Sequence, residues 1–375
     1  MNYFILCFFL ISILLYIITT YYLGKNQYHY NKRNDKIEAF ETEKKRTPAE
    51  KLKIYHTIEI NYLDISIAQQ LVIKNSEYLQ GMNQANLSAR HCLNLDELYT
   101  KYKNGFDTIT SKEKETVDEF ILTLLNELKR LNTNYYYYVC KWLKKISIAK
   151  AQSWLEAGMP HTLENTIIMD AKWFINPRKT TLLHELTHIH QRQVEFEFED
   201  LYKALGYEYY PEYIKGMDDI YALNRNNPDG LSKYWLWKMP KNNDSTDSNS
   251  GSSISISNAQ TNYWWIGAIF KTISPTSLSD INLVALKLDK DNEGNFYYLK
   301  QHPTLLNTWK PFITFFGDNP NNYHPNEMTA KFAELYLLDI LNDTSSNFKN
   351  NKNDKNDEGY KIYKTYFENM IEKYK

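Results

Sequence analysis

The sequence predicts an α+β fold: a small sheet beside one apolar-periodic helix, helices before and after it, a β-rich insertion, and an N-terminal transmembrane helix. Three observations carry this. Apolar residues recur at three-and-four spacing near 111–131 and 180–197, as one face of a helix requires. Short alternating runs at 146–149 and 166–169 suit strands. The stretch 235–299 is rich in aromatic and β-branched residues broken by turn signals, which reads as several further strands.

The elements follow in chain order. Met1 to Leu23 contains no charged residue, His, Pro or Gly. As a helix it would rise about 34 Å, enough for a hydrocarbon core of about 30 Å. No Lys or Arg precedes the run, and Thr19-Thr20-Tyr21-Tyr22 is a poor cleavage sequence, so a retained anchor (1–24) is expected over a removed signal peptide. Lys25, Lys32, Arg33 and Lys36 all follow the span, which predicts that the C-terminal part faces the cytosol. The Asn, Lys, Ile and Tyr content reflects AT-rich coding shared by parasites, bacteria and large DNA viruses, so a virion or host membrane fits as well as a cell's own.

A polar linker (25–46) leads to Thr47-Pro48-Ala49-Glu50, a capping-box pattern that predicts a helix running to about Leu79. A second helix starts near Ser111 and carries Val117, Phe120, Ile121, Leu124, Leu125, Leu128 and Leu131 on its core stripe. Tyr135 to Leu143 reads as helix or buried strand. Strands at Ile146–Ala149 and Thr166–Met169 precede a helix from Thr180 to Glu197. The β-rich insertion (206–320) offers strands at Trp235–Met239, Tyr263–Ile273 and Ile281–Leu288, the last in a hairpin with Asn295–Leu299. The Ser/Asn-rich segment 241–262 reads as a mobile loop. Pro325 opens a helix over about 326–341, which closes the main domain (47–341). A polar linker (342–359) and a short amphipathic helix (360–375) end the chain.

Composition excludes several functions. Lys+Arg is 44 and Asp+Glu 45, a net charge of −1, so there is no basic excess to grip nucleic acid. Glycine is scarce, and neither GxxxxGK[ST] nor GxGxxG occurs, which removes P-loop and Rossmann sites. The three cysteines form no CxxC pair, so neither a cysteine zinc site nor a disulfide framework is expected.

The chemistry is concentrated in His184-Glu185-Leu186-Thr187-His188, an HExxH pattern inside the predicted helix. Residues four apart leave a helix on nearly the same side, one turn up, so both imidazoles can reach one tetrahedral ion. Glu185, about 100° round the axis from His184, flanks that ion and can take a proton from a water the metal has acidified. His190 lies about 200° from His188 and points away, to the surface or a second layer. A catalytic zinc takes three protein ligands and leaves one position open. Gln191 and Val194 stand where the metzincin extension needs Gly and His, which excludes that class. Asp218 and Asp219 remain an option for the third ligand, although their spacing departs from the aspzincin pattern.

The stretch Tyr323-His324-Pro325-Asn326-Glu327-Met328-Thr329-Ala330 resembles the NExxA/S segment of gluzincins. With HExxH, the chain therefore resembles zincin metallopeptidases of gluzincin type, over 146–197 and 323–338. The resemblance implies a zincin-like core, Zn²⁺ held by His184, His188 and Glu327, Glu185 as general base, and a peptide or protein substrate. Thermolysin-like relatives place an Asp four residues after the ligand Glu; here Lys331 stands there, and Glu334, seven residues on, returns to the same face as an outer-layer partner for a ligand His. They also use a later His to stabilise the oxyanion; no His follows His324, which leaves Tyr323 and His324 as candidates, Tyr323 the favoured one. Zincins bind substrate along a strand before the HExxH helix, which assigns 158–169 that role, with His161 and Thr162 beside the cleft. The rival expectation is a membrane-tethered scaffold of zincin shape that cuts nothing, its aromatic insertion and tail helix suited to partner binding.

Overall fold

The computed structural model describes residues 58–74, 78–79, 81–229, 235–240, 262–319, 322–342 and 357–373. The expected anchor (1–24), the linker after it, the capping box at Thr47, the loop 241–261 and most of the polar linker lie outside the described residues. Among the described residues no helix is long and apolar enough to cross a membrane.

The first sheet is mixed and has five strands: β1 (Glu59–Tyr62), β2 (Phe106–Asp107), β3 (Lys145–Ala151), β4 (His161–Leu163) and β5 (Thr166–Asp170). Its order is β1-β3-β5-β4, with β2 also on β3. β1 and β5 both run parallel to β3, and β4 turns back antiparallel to β5 at the end of the path. A parallel pair needs a long crossover. Between β1 and β3 it is supplied by α1 (Ile65–Lys74), α2 (Gln84–Ala89), α3 (Leu95–Lys103), α4 (Ser111–Leu131) and α5 (Thr133–Trp142).

Strand periodicity splits this sheet between two cores. Ile146 and Ile148 of β3 and Ile167 and Met169 of β5 face the main core, whereas Ala149, Ala151 and Ile168 face a second cluster containing Leu79, Leu98 and Tyr102. Alternation places consecutive residues on opposite faces, so a sheet covered on both sides reads as a continuous apolar run.

The chain continues through α6 (Ala171–Ile175), α7 (Lys179–Gln193), α8 (Glu195–Ala204) and α9 (Asp218–Leu223). The second, six-stranded sheet holds β6 (Tyr207–Tyr209), β7 (Trp235–Lys238), β8 (Tyr263–Phe270), β9 (Ile281–Lys290), β10 (Phe296–Tyr297) and β11 (Thr304–Leu305), ordered β10-β9-β8-β7-β6 with β11 also on β9. Its strand pairs are all antiparallel, and the expected hairpin joins β9 to β10. α10 (Lys310–Phe316), α11 (Pro325–Asn342) and α12 (Glu358–Glu372) complete the fold.

Three expectations are corrected. The first predicted helix does not run unbroken to Leu79, because Glu59–Tyr62 is a strand. Ile58, Ile60 and Tyr62 alternate with polar residues and pack on the main core, so period two wins over helix. The helix predicted over 180–197 ends at Gln193, where Val194 leaves helical geometry (φ −128°, ψ 51°), and a separate helix starts at Glu195. The tail helix is no free appendage: Tyr360, Tyr363, Phe367, Met370 and Ile371 are buried in the main core.

Candidate metal centre

Every residue of α7 from Leu182 to Gln191 is buried. One side carries Leu182, Leu183, Leu186 and Ile189 into the main core. The other presents His184, Glu185 and His188 toward β4 and α11. The two imidazoles meet edge to face, with ring centroids 4.7 Å apart. α11 starts with Pro325 in its first turn, where a missing N–H costs nothing. The next N–H, of Asn326, donates to His324 Nδ1 at 3.2 Å. This cap occupies His324 and sets Glu327 in the first turn, facing α7.

Three donors converge there. His184 Nε2 lies 3.4 Å from Glu327 Oε2, and His188 Nε2 lies 3.6 Å from Glu327 Oε1. The ligand atoms of the three residues all fall within 4.8 Å of one another. Donors about 2.0–2.1 Å from a single tetrahedral ion sit about 3.3 Å apart, so the spacing suits one divalent cation.

Hydrogen bonds on the far side of each ring fix the tautomers. His184 Nδ1 donates to Glu334 Oε1 at 2.8 Å, and Lys331 Nζ donates to Glu334 Oε2 at 2.8 Å. His188 Nδ1 donates to Gln191 Oε1 at 2.8 Å. The orientation of that amide is set by its other end, where Gln191 Nε2 donates to the Asn326 carbonyl at 2.9 Å and to Thr329 Oγ1 at 2.8 Å. A carbonyl only accepts, so the Gln191 nitrogen must face it. With both Nδ1 atoms protonated, both Nε2 lone pairs point at the cluster.

Glu185 stands beside these donors, 3% exposed. Its Oε2 and His188 Nε2 are buried polar atoms with no hydrogen-bond partner. Buried polar atoms are almost always paired, so an unpartnered Nε2 within the three-donor group and an unpartnered carboxylate oxygen next to His188 fit a cation carrying a polar ligand. Burial, then the nearby Asp229 carboxylate, hold the Glu185 carboxyl well above the ordinary carboxylate range. Burial pushes Glu327 the same way; positive charge on the His188 and His184 imidazoles would outweigh it and hold Glu327 well below that range.

The other expected residues divide. Tyr323 reaches the site: Asn227 Nδ2 donates to its hydroxyl at 2.8 Å and to Glu327 Oε1 at 2.6 Å. Thr162 lies on terminal strand β4, with its backbone against the centre's surroundings. His161 is not brought to the cluster; its Nδ1 pairs with the Met159 carbonyl at 3.0 Å, and it lies in electrostatic range of Glu156 on the other side of β4. His190 points away as expected, but into an aromatic cage rather than the surface. Tyr138, Trp142 and Phe198 enclose it, and burial lowers its pKa to about 3. Asp218 pairs with Tyr213 and Asp219 with Lys300, both on the exterior and neither in the cluster.

Four contributors were not foreseen: Gln191, Arg192, Asn227 and Asp229. Asp229 forms a second donor group with Glu185 and His188. Its sequence context, Asn227-Pro228-Asp229-Gly230, signals only a turn. Compared with known proteins, the chain matches no protein family, no curated protein and no solved structure.

Proposed function

We propose that the chain is a zinc-dependent endopeptidase of zincin type, tethered to a membrane by its N-terminal apolar segment with the catalytic part on the cytosolic side. The observation that carries this reading is the convergence of His184 Nε2, His188 Nε2 and the Glu327 carboxylate beside Glu185. Two imidazoles and one carboxylate in tetrahedral spacing form a donor set that zinc favours. Zinc held there would act as a Lewis acid, acidifying a water and polarising the scissile carbonyl.

The chain's own groups supply the remainder. Glu185 would take the proton of the attacking water at its unpartnered Oε2 and pass it to the leaving amine. Burial, then the Glu327 charge, raise the Tyr323 phenol far above its ordinary range, so its hydroxyl stays protonated and can donate to the developing oxyanion. Substrate backbone would pair with β4 at Thr162. A second reading, a zincin-shaped scaffold, is favoured by one observation: Asp229 forms a second donor group with Glu185 and His188, so a further carboxylate stands beside Glu185, where an attacking water would have to sit.

The test uses full-length protein. Metal content is measured by mass spectrometry, and a mixed peptide library is incubated with wild type and Glu185→Gln. One zinc per chain, with cleavage reduced roughly 10²–10⁴-fold in Glu185→Gln, supports the peptidase. Stoichiometric zinc without cleavage, in wild type and in Asp229→Ala alike, leaves the scaffold.

A further inference from the structure

The segment Asn224–Asp229 crosses the face of the centre, and its two halves are held differently. The first half is anchored outside the site. Arg225 N–H donates to the Ala268 carbonyl of β8 at 2.9 Å, and Asn83 and Asn86 side chains donate to the Asn224 carbonyl at 3.0 and 2.8 Å. Asn226 donates through its amide to Asn86 Oδ1 at 2.9 Å and through Nδ2 to the Tyr78 carbonyl at 2.8 Å.

The second half is held by the site itself. Asn227 donates to Glu327 and Tyr323. Arg192 Nη2 donates to the Pro228 carbonyl at 2.9 Å, and Asn326 Nδ2 to the Asp229 carbonyl at 3.4 Å. Asp229 Oδ1 accepts from Thr162 N–H at 2.6 Å and Thr162 Oγ1 at 2.8 Å.

Thr162 decides the meaning of this arrangement. It is the middle residue of β4, paired in register with Ile167 of β5. Its N–H goes to Asp229 and its carbonyl accepts from Arg192 Nη2 at 3.1 Å, so both backbone groups face outward from the sheet. Those are the groups an added substrate strand would use. Here a carboxylate and a guanidinium satisfy both. The residues behind them are correspondingly shut away: His188 is 1%, Glu185 3% and Glu327 6% exposed. With its N–H and carbonyl taken by Asp229 and Arg192, Thr162 cannot pair with an extended peptide while these groups stay in place.

We infer that Asn227–Asp229 is a built-in latch, which fills the substrate lane along β4 and holds the centre closed until it swings out on the Asn224–Asn226 anchor. This rests on reading the centre as a peptidase site. A buried strand edge cannot be left unpaired: a peptide carbonyl would replace Asp229 at the Thr162 N–H, while Arg192, fixed on α7, keeps the Thr162 carbonyl and loses only its bond to Pro228.

The test compares full-length, zinc-loaded wild type with Asn227→Ala and Asp229→Ala, using an apolar tripeptide hydroxamate as the probe. The expected result is at least tenfold tighter probe binding by calorimetry in either folded variant, with one zinc per chain retained. Affinities within twofold of wild type in both variants overturn the latch and leave the peptidase reading untouched. Tighter binding with no peptide cleavage keeps the latch and removes the peptidase. If the chain holds no zinc the peptidase reading falls. The latch is then read from metal-free protein by diethyl pyrocarbonate modification of His184 and His188: tenfold faster in the variants upholds it, and an unchanged rate overturns it.

Discussion

Two side chains that touch no reacting atom set the orientation of the two imidazoles. Glu334 holds His184 from behind, and Gln191 holds His188 while tying it to the backbone of α11. Partners of this kind fix ring orientation and tautomer, and their loss typically weakens metal binding by about 10–100-fold. Glu334→Ala and Gln191→Ala are each expected to lower zinc affinity by about that factor, measured by competition with a chromogenic chelator. An unchanged affinity in both would show that packing alone orients the rings. Gln191→Glu adds a check: it keeps the acceptor for His188 but loses both donors to α11, so it should recover only part of the affinity. The grouping of His184, His188 and Glu327 was legible because HExxH and the Glu327 segment are local patterns tied to helical geometry. Glu334 was legible for the same reason, by its seven-residue spacing. Gln191, Asn227 and Asp229 were not. Gln191 lies three residues from His188, a helical spacing that carries a signal, but its tie to α11 and the partners of Asn227 and Asp229 lie roughly 70–140 positions away in the chain, a relation that spacing along one element does not encode.

At the scale of elements, β4 is held in place by a buried ion pair at the turn that feeds it. Glu156 and Ala157 sit at positive φ (45° and 56°), followed by Gly158 at 73°. A side chain at Gly158 would press on the Ser153 carbonyl, 3.0 Å from the position of an added Cβ, so glycine is required there. The strained turn is secured by Glu156, which pairs with Arg90 through two bonds of 2.8 Å and also accepts from Tyr78 and Tyr102. Burial alone would raise the Glu156 pKa; Arg90 outweighs it, and the net shift is downward. A carboxylate lowered in the folded state stabilises it above the unfolded pKa of about 4.3, and this contribution fades as pH falls through the lowered folded value. Glu156→Gln should cost about 3–5 kcal/mol at neutral pH, because it strands a buried guanidinium. It should also flatten the stability curve below about pH 4.3 relative to wild type. Urea unfolding at a series of pH values checks both, and parallel curves for the two proteins would reject the account. The sequence disclosed β3, β5 and α4 through clean periodicity. It disclosed a turn around Gly158 but not the Arg90 partner that secures it, nor β1, a four-residue strand that among the described residues pairs with β3 across a crossover containing α1 to α5.

At the scale of the molecule, one core joins parts of the chain that composition made look separable. Ile148 and Ile167 of the first sheet, Trp235 and Trp237 of the second, and Tyr363 and Phe367 of α12 belong to the same apolar cluster. Phe367 packs against Tyr135, Tyr138 and Tyr336 at ring-centroid distances of 5.2, 5.2 and 5.1 Å. Phe332 of α11 meets Tyr360 and Tyr363 at 5.7 and 5.5 Å. The tail helix therefore braces α11, and α11 carries Glu327 and Glu334. A polar linker and an amphipathic pattern had suggested a surface for partners; the buried aromatic face shows instead where that amphipathicity is spent. Truncating a buried Phe in such a cluster costs about 3–5 kcal/mol. Because the brace and the ligand helix share the core, the loss should spread: Phe367→Ala should lower the melting temperature of the whole unit and the temperature of zinc release together. Near-ultraviolet circular dichroism and a zinc-sensitive dye, followed in one thermal ramp, measure the two transitions. If α12 melted alone, with the near-ultraviolet signal of the sheets and the zinc-release temperature unchanged, the tail would be an independent element and the account of a core shared by α11 and α12 would fall.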